Sequence, residues 1–285
     1  MRFFSVITLF LVTLSYSQSN TEVYLFDFSQ NGENISISNP VNISNNKGYD
    51  NQPSFLANGK AVLFASTRNK QNDIVLYNIK SRTKKWLTKT SGSEYSPTQT
   101  PNKKYFTSIL LEKNGRQLLW QYSFNNRTPK IVVENLKIGY HTWYDKNTLV
   151  SFVLGNPATL QVSNLKSKTN TIIAKNIGRS LHKIPHLKFI SYTGFNDTLP
   201  KIYAINPITK EQKFITNALT KAQDMAWTPN GTIIMGKDDK LYKFTPDVDT
   251  HWVAFASLKQ YNLTGITRVA VSKKNNKIAV VVSGK

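Results

Sequence analysis

Short apolar blocks separated by polar turns recur along this chain, and the segment from Asn58 to Ile79 shows the unit most clearly. Its sequence, NGKAVLFASTRNKQNDIVLYNI, contains two blocks rich in β-branched and aromatic residues, KAVLFASTR and DIVLYNI, with a polar turn between them. Asn58-Gly59 precedes the first block, and this dipeptide is a strong hairpin signal. The pattern therefore predicts turn, strand, turn, strand.

The same unit returns at intervals of slightly more than about 40 residues, the period of a four-stranded propeller blade. Each copy adds a preceding strand that ends in an aromatic or apolar residue, such as Phe55, Trp143 or Trp227. A fourth strand follows, for example KKWLTK or QKFITN. Further copies begin at Thr100, Tyr144, Pro185 and Thr228, and a shortened copy, SKKNNKIAVVVSGK, ends the chain.

The two ends of the chain complement each other. The last copy stops after its second strand, whereas an unmatched pair of strands, EVYLFDF and NISISNPVNIS, stands near the beginning. Together they would make one whole blade, in addition to five internal ones. Sharing strands in this way closes the ring and removes open sheet edges. We therefore predict an all-β fold, a six-bladed β-propeller of four-stranded antiparallel blades.

The segment FLANGKAVLFASTRNKQNDIVLYNI resembles the repeat of TolB-like, or PD40 (WD40-like), propellers. The segment AWTPNGTIIMGKDDKLYKF is similar more loosely, and the other copies are similar mainly in period. The resemblance spans nearly all of the chain after residue 17, and it implies the same six-bladed fold. The positions that carry it are Phe55, Asn58, Gly59, Lys60, Phe64, Ser66, Arg68, Asp73 and Ile74.

The first residues have the pattern of a secretory signal peptide. Arg2 precedes an apolar run from Phe3 to Leu14, and small serines at positions 15 and 17 follow. No later stretch approaches the roughly 20 apolar residues of a membrane-spanning helix. The chain has no cysteine for disulfides or for a lipid anchor. We expect a signal peptide over residues 1–17, one propeller domain over 18–285, and a periplasmic or secreted location.

The formal net charge of +21 makes polyanions possible partners, because the electric field of a strongly positive protein attracts them. Scattered lysines can also serve simply to keep a β-protein soluble. The hairpins between first and second strands and between third and fourth strands contain NKK, KSRTKKW, KSKT and SKKNNK, so one face of the disc should be basic. An anionic glycan or lipid surface could bind there. No nucleic-acid-binding signature occurs, and export argues against nucleic acid.

Polar residues near the starts of the predicted first strands are candidate contacts, because first strands line the channel of a propeller. His141 and His182 hold equivalent places in neighbouring blades and could face each other. Without a His-x-His or His-Glu-x-x-His spacing, we predict no metal site and no cofactor. The candidate residues for binding a ligand or partner at the rim and channel mouth are Glu94, Tyr95, Tyr140, His141, His182, Asp224 and Arg268.

Arg68 and Asp73 flank the turn between the second and third strands of the clearest copy. They could contact a ligand, but an ion pair that closes the turn is the preferred interpretation.

No catalytic set emerges, because the chain has neither a Gly-x-Ser-x-Gly motif nor a cysteine. A rigid disc with variable loops suits recognition. We predict a non-catalytic protein-binding or scaffold module at the bacterial cell envelope, with its partner on the face opposite the basic one. The alternative is an enzyme or sensor, such as a lyase, lactonase or hydrolase, that acts in the channel on a glycan or small acidic ligand. Thr198, within Asp197-Thr198-Leu199, is a candidate O-glycosylation site.

Overall fold

The computed structural model describes residues 20–125, 128–195 and 199–284 and arranges them as six four-stranded antiparallel sheets in a ring. This confirms the predicted six-bladed propeller. The predicted signal peptide and Thr198 lie outside the described residues. Within the part of the chain that the structure describes, no helix is both long and apolar enough to cross a membrane.

Five blades are formed by consecutive strands, each blade running from the channel outwards. The first two strands of the chain, β1 (Thr21–Asn31) and β2 (Asn34–Asn42), belong to the sixth blade. Blades 1 and 2 comprise β3 (Asn51–Phe55), β4 (Ala61–Arg68), β5 (Gln71–Asn78) and β6 (Thr83–Trp86), and then β7 (Ser93–Gln99), β8 (Tyr105–Leu111), β9 (Gln117–Ser123) and β10 (Lys130–Val133). Blades 3 and 4 comprise β11 (Ile138–Trp143), β12 (Thr148–Val153), β13 (Thr159–Asn164) and β14 (Thr169–Lys175), and then β15 (Ile177–Lys183), β16 (Ile190–Gly194), β17 (Lys201–Ile205) and β18 (Gln212–Asn217). Blade 5 comprises β19 (Met225–Trp227), β20 (Ile233–Lys237), β21 (Lys240–Phe244) and β22 (Val253–Ser257).

Blade 6 is assembled from both ends of the chain, as predicted. It comprises β23 (Arg268–Val271) on the channel side, then β24 (Lys277–Ser283), β1 and β2. The register of β1 on β24 runs from Thr21 opposite Ser283 to Asp27 opposite Lys277. The ladder between these two strands joins the ends of the chain, so the ring is closed by backbone hydrogen bonds rather than by a disulfide.

Burial changes from strand to strand within each blade. The first six residues of β4, AVLFAS, are buried, because a second strand packs against neighbouring blades on both of its faces. In contrast, all four residues of β6, TKKW, are exposed at the outer edge. The lysines of that edge strand also discourage pairing with another chain.

Hydrogen bonds from tryptophan reinforce the packing between blades. The indole of Trp143 donates to Thr107 Oγ1 in blade 2 at 3.1 Å, and the indole of Trp227 donates to Ser191 Oγ in blade 4 at 2.8 Å. Both tryptophans stand at the end of a first strand and reach a second strand of the preceding blade. These two aromatic side chains therefore hold blades together, which is the core-packing role expected for strand-borne aromatics.

The hairpin between β4 and β5 is a tight two-residue turn. Asn69 and Lys70 both have positive φ, 51° and 65°, as a type I′ hairpin requires. Beside it, the guanidinium of Arg68 lies 2.6 Å from the carboxylate of the buried Asp73 and stacks over the ring of Trp86 at 4.2 Å. Arg68 and Asp73 thus form an ion pair next to the turn.

Candidate functional site

A cavity of about 750 Å³ occupies the centre of the ring. Its walls are the first strands of the blades, and the hairpins that join first to second strands border it at one end. Equivalent positions at the starts of the six first strands form a layer around the axis, and the side chains at these positions differ in size and charge. Going round the ring, this layer contains Gln52, Ser96, Tyr140, Ser180, Asp224 and Arg268.

The floor of the cavity is closed by side chains that cross the axis. Arg268 of blade 6 donates to the hydroxyl of Tyr140 in blade 3 at 2.9 Å, and its guanidinium lies 5.0 Å from the centre of that ring. Blades 3 and 6 stand opposite each other in a ring of six, so this bond spans the channel. A second guanidinium, that of Arg179 in blade 4, donates to the backbone carbonyl of Thr267 at 3.3 Å.

Arg268 also forms a buried ion pair with Asp224 of blade 5. The two groups are 3.6 Å apart, and their side chains are 7% and 10% exposed. Burial by itself lowers the pKa of Arg268, but Asp224 and the hydroxyls of Tyr140 and Tyr49 outweigh it and raise the pKa above its ordinary value. The guanidinium therefore stays charged and links blade 6 to blades 3 and 5.

The two candidate histidines in the cavity lining, His141 and His182, each bond to a hydroxyl group. His141 Nε2 lies 2.7 Å from Thr107 Oγ1, and His182 Nε2 lies 3.0 Å from Ser180 Oγ. Burial lowers the pKa of His141 to about 3. Burial also lowers the pKa of His182, against an opposing effect of Asp224. Both imidazoles are therefore neutral at physiological pH.

This arrangement is poorly suited to nucleophilic or metal chemistry. Ser180, His182 and Asp224 are neighbours, but Ser180 is buried and its oxygen accepts the backbone N–H of Met225 at 3.0 Å. Asp224 is already paired with Arg268. Among the described residues, no three His, Asp or Glu side chains are grouped so that they could hold a metal ion.

Two of the seven candidate residues lie outside the cavity lining. Glu94 is fully buried between blades 1 and 2, near the hydroxyls of Thr88 and Tyr122 and the carboxylate of Asp73. Burial raises the pKa of Glu94 to about 7. Tyr95 packs edge-on against Tyr49, with ring centres 6.0 Å apart. The other five candidates, Tyr140, His141, His182, Asp224 and Arg268, are brought together along the cavity.

Comparison with known proteins identifies the fold. Neither a protein-family model nor a curated protein sequence matches the chain. A solved structure assigned to TolB from Agrobacterium tumefaciens has a TM-score of 0.71 at 10% identity, covering 94% of this chain and 99% of that one. The fold is that of TolB-like propellers. TolB from Acinetobacter baumannii has a TM-score of 0.59 at 11% identity, covering 92% of this chain and 63% of that one. Oligogalacturonate lyase from Vibrio parahaemolyticus has a TM-score of 0.51 at 11% identity, and the match covers 94% of this chain and 99% of that one.

At the hairpin end of the cavity, three lysines converge. Lys103, Lys183 and Lys273 come from blades 2, 4 and 6, which alternate around the ring. Partial burial lowers the pKa of Lys273, and the ammonium groups of Lys183 and Lys103 lower it further. The sequence indicated a basic face from the motifs NKK and SKKNNK, but it could not show which lysines border the channel.

The opposite face of the propeller carries exposed apolar side chains in loops between second and third strands. Leu154 follows β12 in blade 3, while Phe195 and Leu199 lie between β16 and β17 in blade 4. Their exposed fractions are 41%, 48% and 47%. The two loops are equivalent and belong to adjacent blades, so they bring large apolar groups to one sector of that face.

Proposed function

We propose that this chain is an exported, non-catalytic β-propeller that binds a protein partner at the bacterial cell envelope. The observation that carries the proposal is the exposed apolar sector of blades 3 and 4, formed by Leu154, Phe195 and Leu199. Large apolar side chains in loops on a rigid scaffold are the usual anchors of a protein interface. The TolB-like fold is compatible with this role, and the signal-peptide pattern over residues 1–17 supports export.

The alternative of an enzyme in the channel has weaker support. General acid–base catalysis needs a titratable group that the substrate can reach and whose pKa lies near neutral pH. In the cavity wall, His141 is buried and neutral, Asp224 is engaged by Arg268, and the phenol of Tyr140 accepts a hydrogen bond from the same guanidinium. Arg268 binds both Asp224 and Tyr140, which suits a structural floor better than a reacting centre.

Partner capture with two matched sets of variants tests the proposal. The first set replaces Leu154, Phe195 and Leu199 with serine on the face opposite the lysines. The control set replaces three somewhat more exposed apolar residues elsewhere on blades 3 and 4 with serine, namely Ile172, Ile208 and Phe214. Immobilised protein is incubated with envelope extract, and bound proteins are quantified by mass spectrometry.

We expect the first set to lose most of the specific capture while the control set keeps it, with unchanged melting temperatures in both. Equal capture by the first set and the unmodified protein would refute the proposed sector. Equal loss in both sets would show that capture depends on general surface hydrophobicity, which also contradicts the proposal.

A further inference from the structure

We propose that the central cavity binds a small polyanion, a soluble compound with two or more carboxylate or phosphate groups, which enters past Lys103, Lys183 and Lys273. This inference goes beyond the protein-binding function, because it concerns a low-molecular-weight ligand and the opposite face of the disc.

The charges along the cavity are strongly unbalanced. Among the described lining residues, five are cationic at neutral pH and one is a carboxylate. That carboxylate, Asp224, is already paired with Arg268. A cleft with one sign of charge and low-dielectric walls focuses the field and concentrates counter-ions. The positive charge of the mouth lysines is therefore available to an anion that enters the cavity.

The floor offers hydrogen-bond donors for which the described residues supply no acceptor. The Nε–H groups of Arg179 and Arg268 are buried, and neither has a hydrogen-bond partner in the part of the chain that the structure describes. Buried donors without partners are uncommon because they lose hydration without compensation, so each one calls for an explanation. Guanidinium groups are the preferred partners of carboxylate and phosphate. Both arginines line the cavity, so an anionic group at the floor would lie beside two guanidinium groups.

The shape of the cavity favours a compact ligand. Its volume of about 750 Å³ lies within the usual range of small-molecule sites, roughly 300 to 1,000 Å³. Trp143, Trp227 and Tyr144 also line the cavity and add apolar surface to its wall. A ligand with anionic groups at both ends of a compact body would contact the mouth lysines and the floor arginines together.

Isothermal titration calorimetry of the full propeller tests the inference with citrate and inorganic tripolyphosphate as probes, and with acetate as a monovalent control at equal ionic strength. We expect one saturable site per chain for each polyanion, with affinity at least about tenfold higher than for acetate. The affinity should fall as salt is raised, because the contacts are electrostatic. Native protein that shows no saturable binding of either probe at low salt would overturn the proposal.

Two charge-matched triple variants locate the site. K103Q/K183Q/K273Q removes the mouth lysines, whereas K80Q/K166Q/K168Q removes three exposed lysines from the third-to-fourth-strand hairpins of blades 1 and 3. The first variant should weaken binding at least about tenfold and the second by less than about twofold. Equal weakening in both would mean a diffuse surface charge effect and would overturn the site.

The floor is tested separately with R179Q. Among the described residues Arg179 makes one hydrogen bond, to a backbone carbonyl, so its loss should leave the fold intact. We expect a further loss of affinity for citrate with an unchanged melting temperature. An unchanged affinity would overturn the two-layer arrangement. Capture of the protein partner by the lysine variants should be unaffected, so failure of this inference and failure of the proposed function are distinguishable.

Discussion

The buried carboxyl group of Glu94 should make the stability of the propeller depend on pH. Glu94 is 0% exposed, and burial raises its pKa from 4.5 to about 7, with a smaller contribution in the same direction from Asp73. An acid whose pKa is higher in the folded state binds its proton more tightly there than in the unfolded chain. Its contribution to stability is therefore fully present below pH 4.5 and is lost as the pH rises through about 7.

The magnitude follows from the size of the shift. Each unit of pKa difference corresponds to about 1.4 kcal/mol, so holding ionised Glu94 in the folded state costs about 3 kcal/mol above pH 7. Replacing it with glutamine keeps the shape and removes the charge. We expect Glu94→Gln to stabilise the protein at pH 8, and its advantage over the unmodified protein to be about 2 kcal/mol larger at pH 8 than at pH 5.

Urea unfolding followed by tryptophan fluorescence at several pH values measures this difference. The comparison must be between variant and unmodified protein, because other buried groups also titrate. The lowered pKa of His141 and of His182 acts in the opposite direction, and the pKa of Asp50 is raised to about 6 by burial. Glu134→Gln, at an exposed position, is the control. A pH dependence that is the same in Glu94→Gln and the unmodified protein would refute the reasoning.

Three further predictions concern the fold. Truncation before Lys277 removes β24 from between β1 and β23, so the protein should lose its cooperative thermal transition; a full-length melting temperature would contradict closure by shared strands. Arg68→Met leaves the buried Asp73 carboxylate without its ion partner and should cost about 2 to 4 kcal/mol in urea unfolding, whereas Arg116→Met, at an exposed pair with Glu112, should cost less than about 1 kcal/mol. Trp227→Phe removes the hydrogen bond to Ser191 and should lower the free energy of unfolding by about 1 to 2 kcal/mol. A smaller loss of stability than in Trp86→Phe would contradict the role of Trp227 between blades.

Local sequence pattern was sufficient to predict the architecture. Strands are signalled by short apolar blocks between turn residues, and the regular interval between copies indicates a repeated blade. Closure was predictable for the same reason, since the unmatched strands at the two ends have no other partners. The observed pairing of Thr21 to Asp27 with Ser283 to Lys277 follows from that requirement.

The candidate site was predictable only in part. The sequence placed Tyr140, His141, His182, Asp224 and Arg268 near the starts of first strands, and the structure brings them to one cavity. It could not show that Glu94 points between blades, because the direction of a side chain near a strand end depends on local irregularities in the ladder, such as the register shift between Tyr95 and Thr98.

Contacts across the channel were decided by the tertiary structure alone. Arg268 and Tyr140 are 128 residues apart and meet because six blades close into a ring that sets their strands on opposite sides of the axis. The mouth lysines likewise converge from three separate blades. Hydrophobic periodicity acts over a few residues and determines strands and their order. Interactions between polar side chains on different blades depend instead on distances that exist only after the ring has closed.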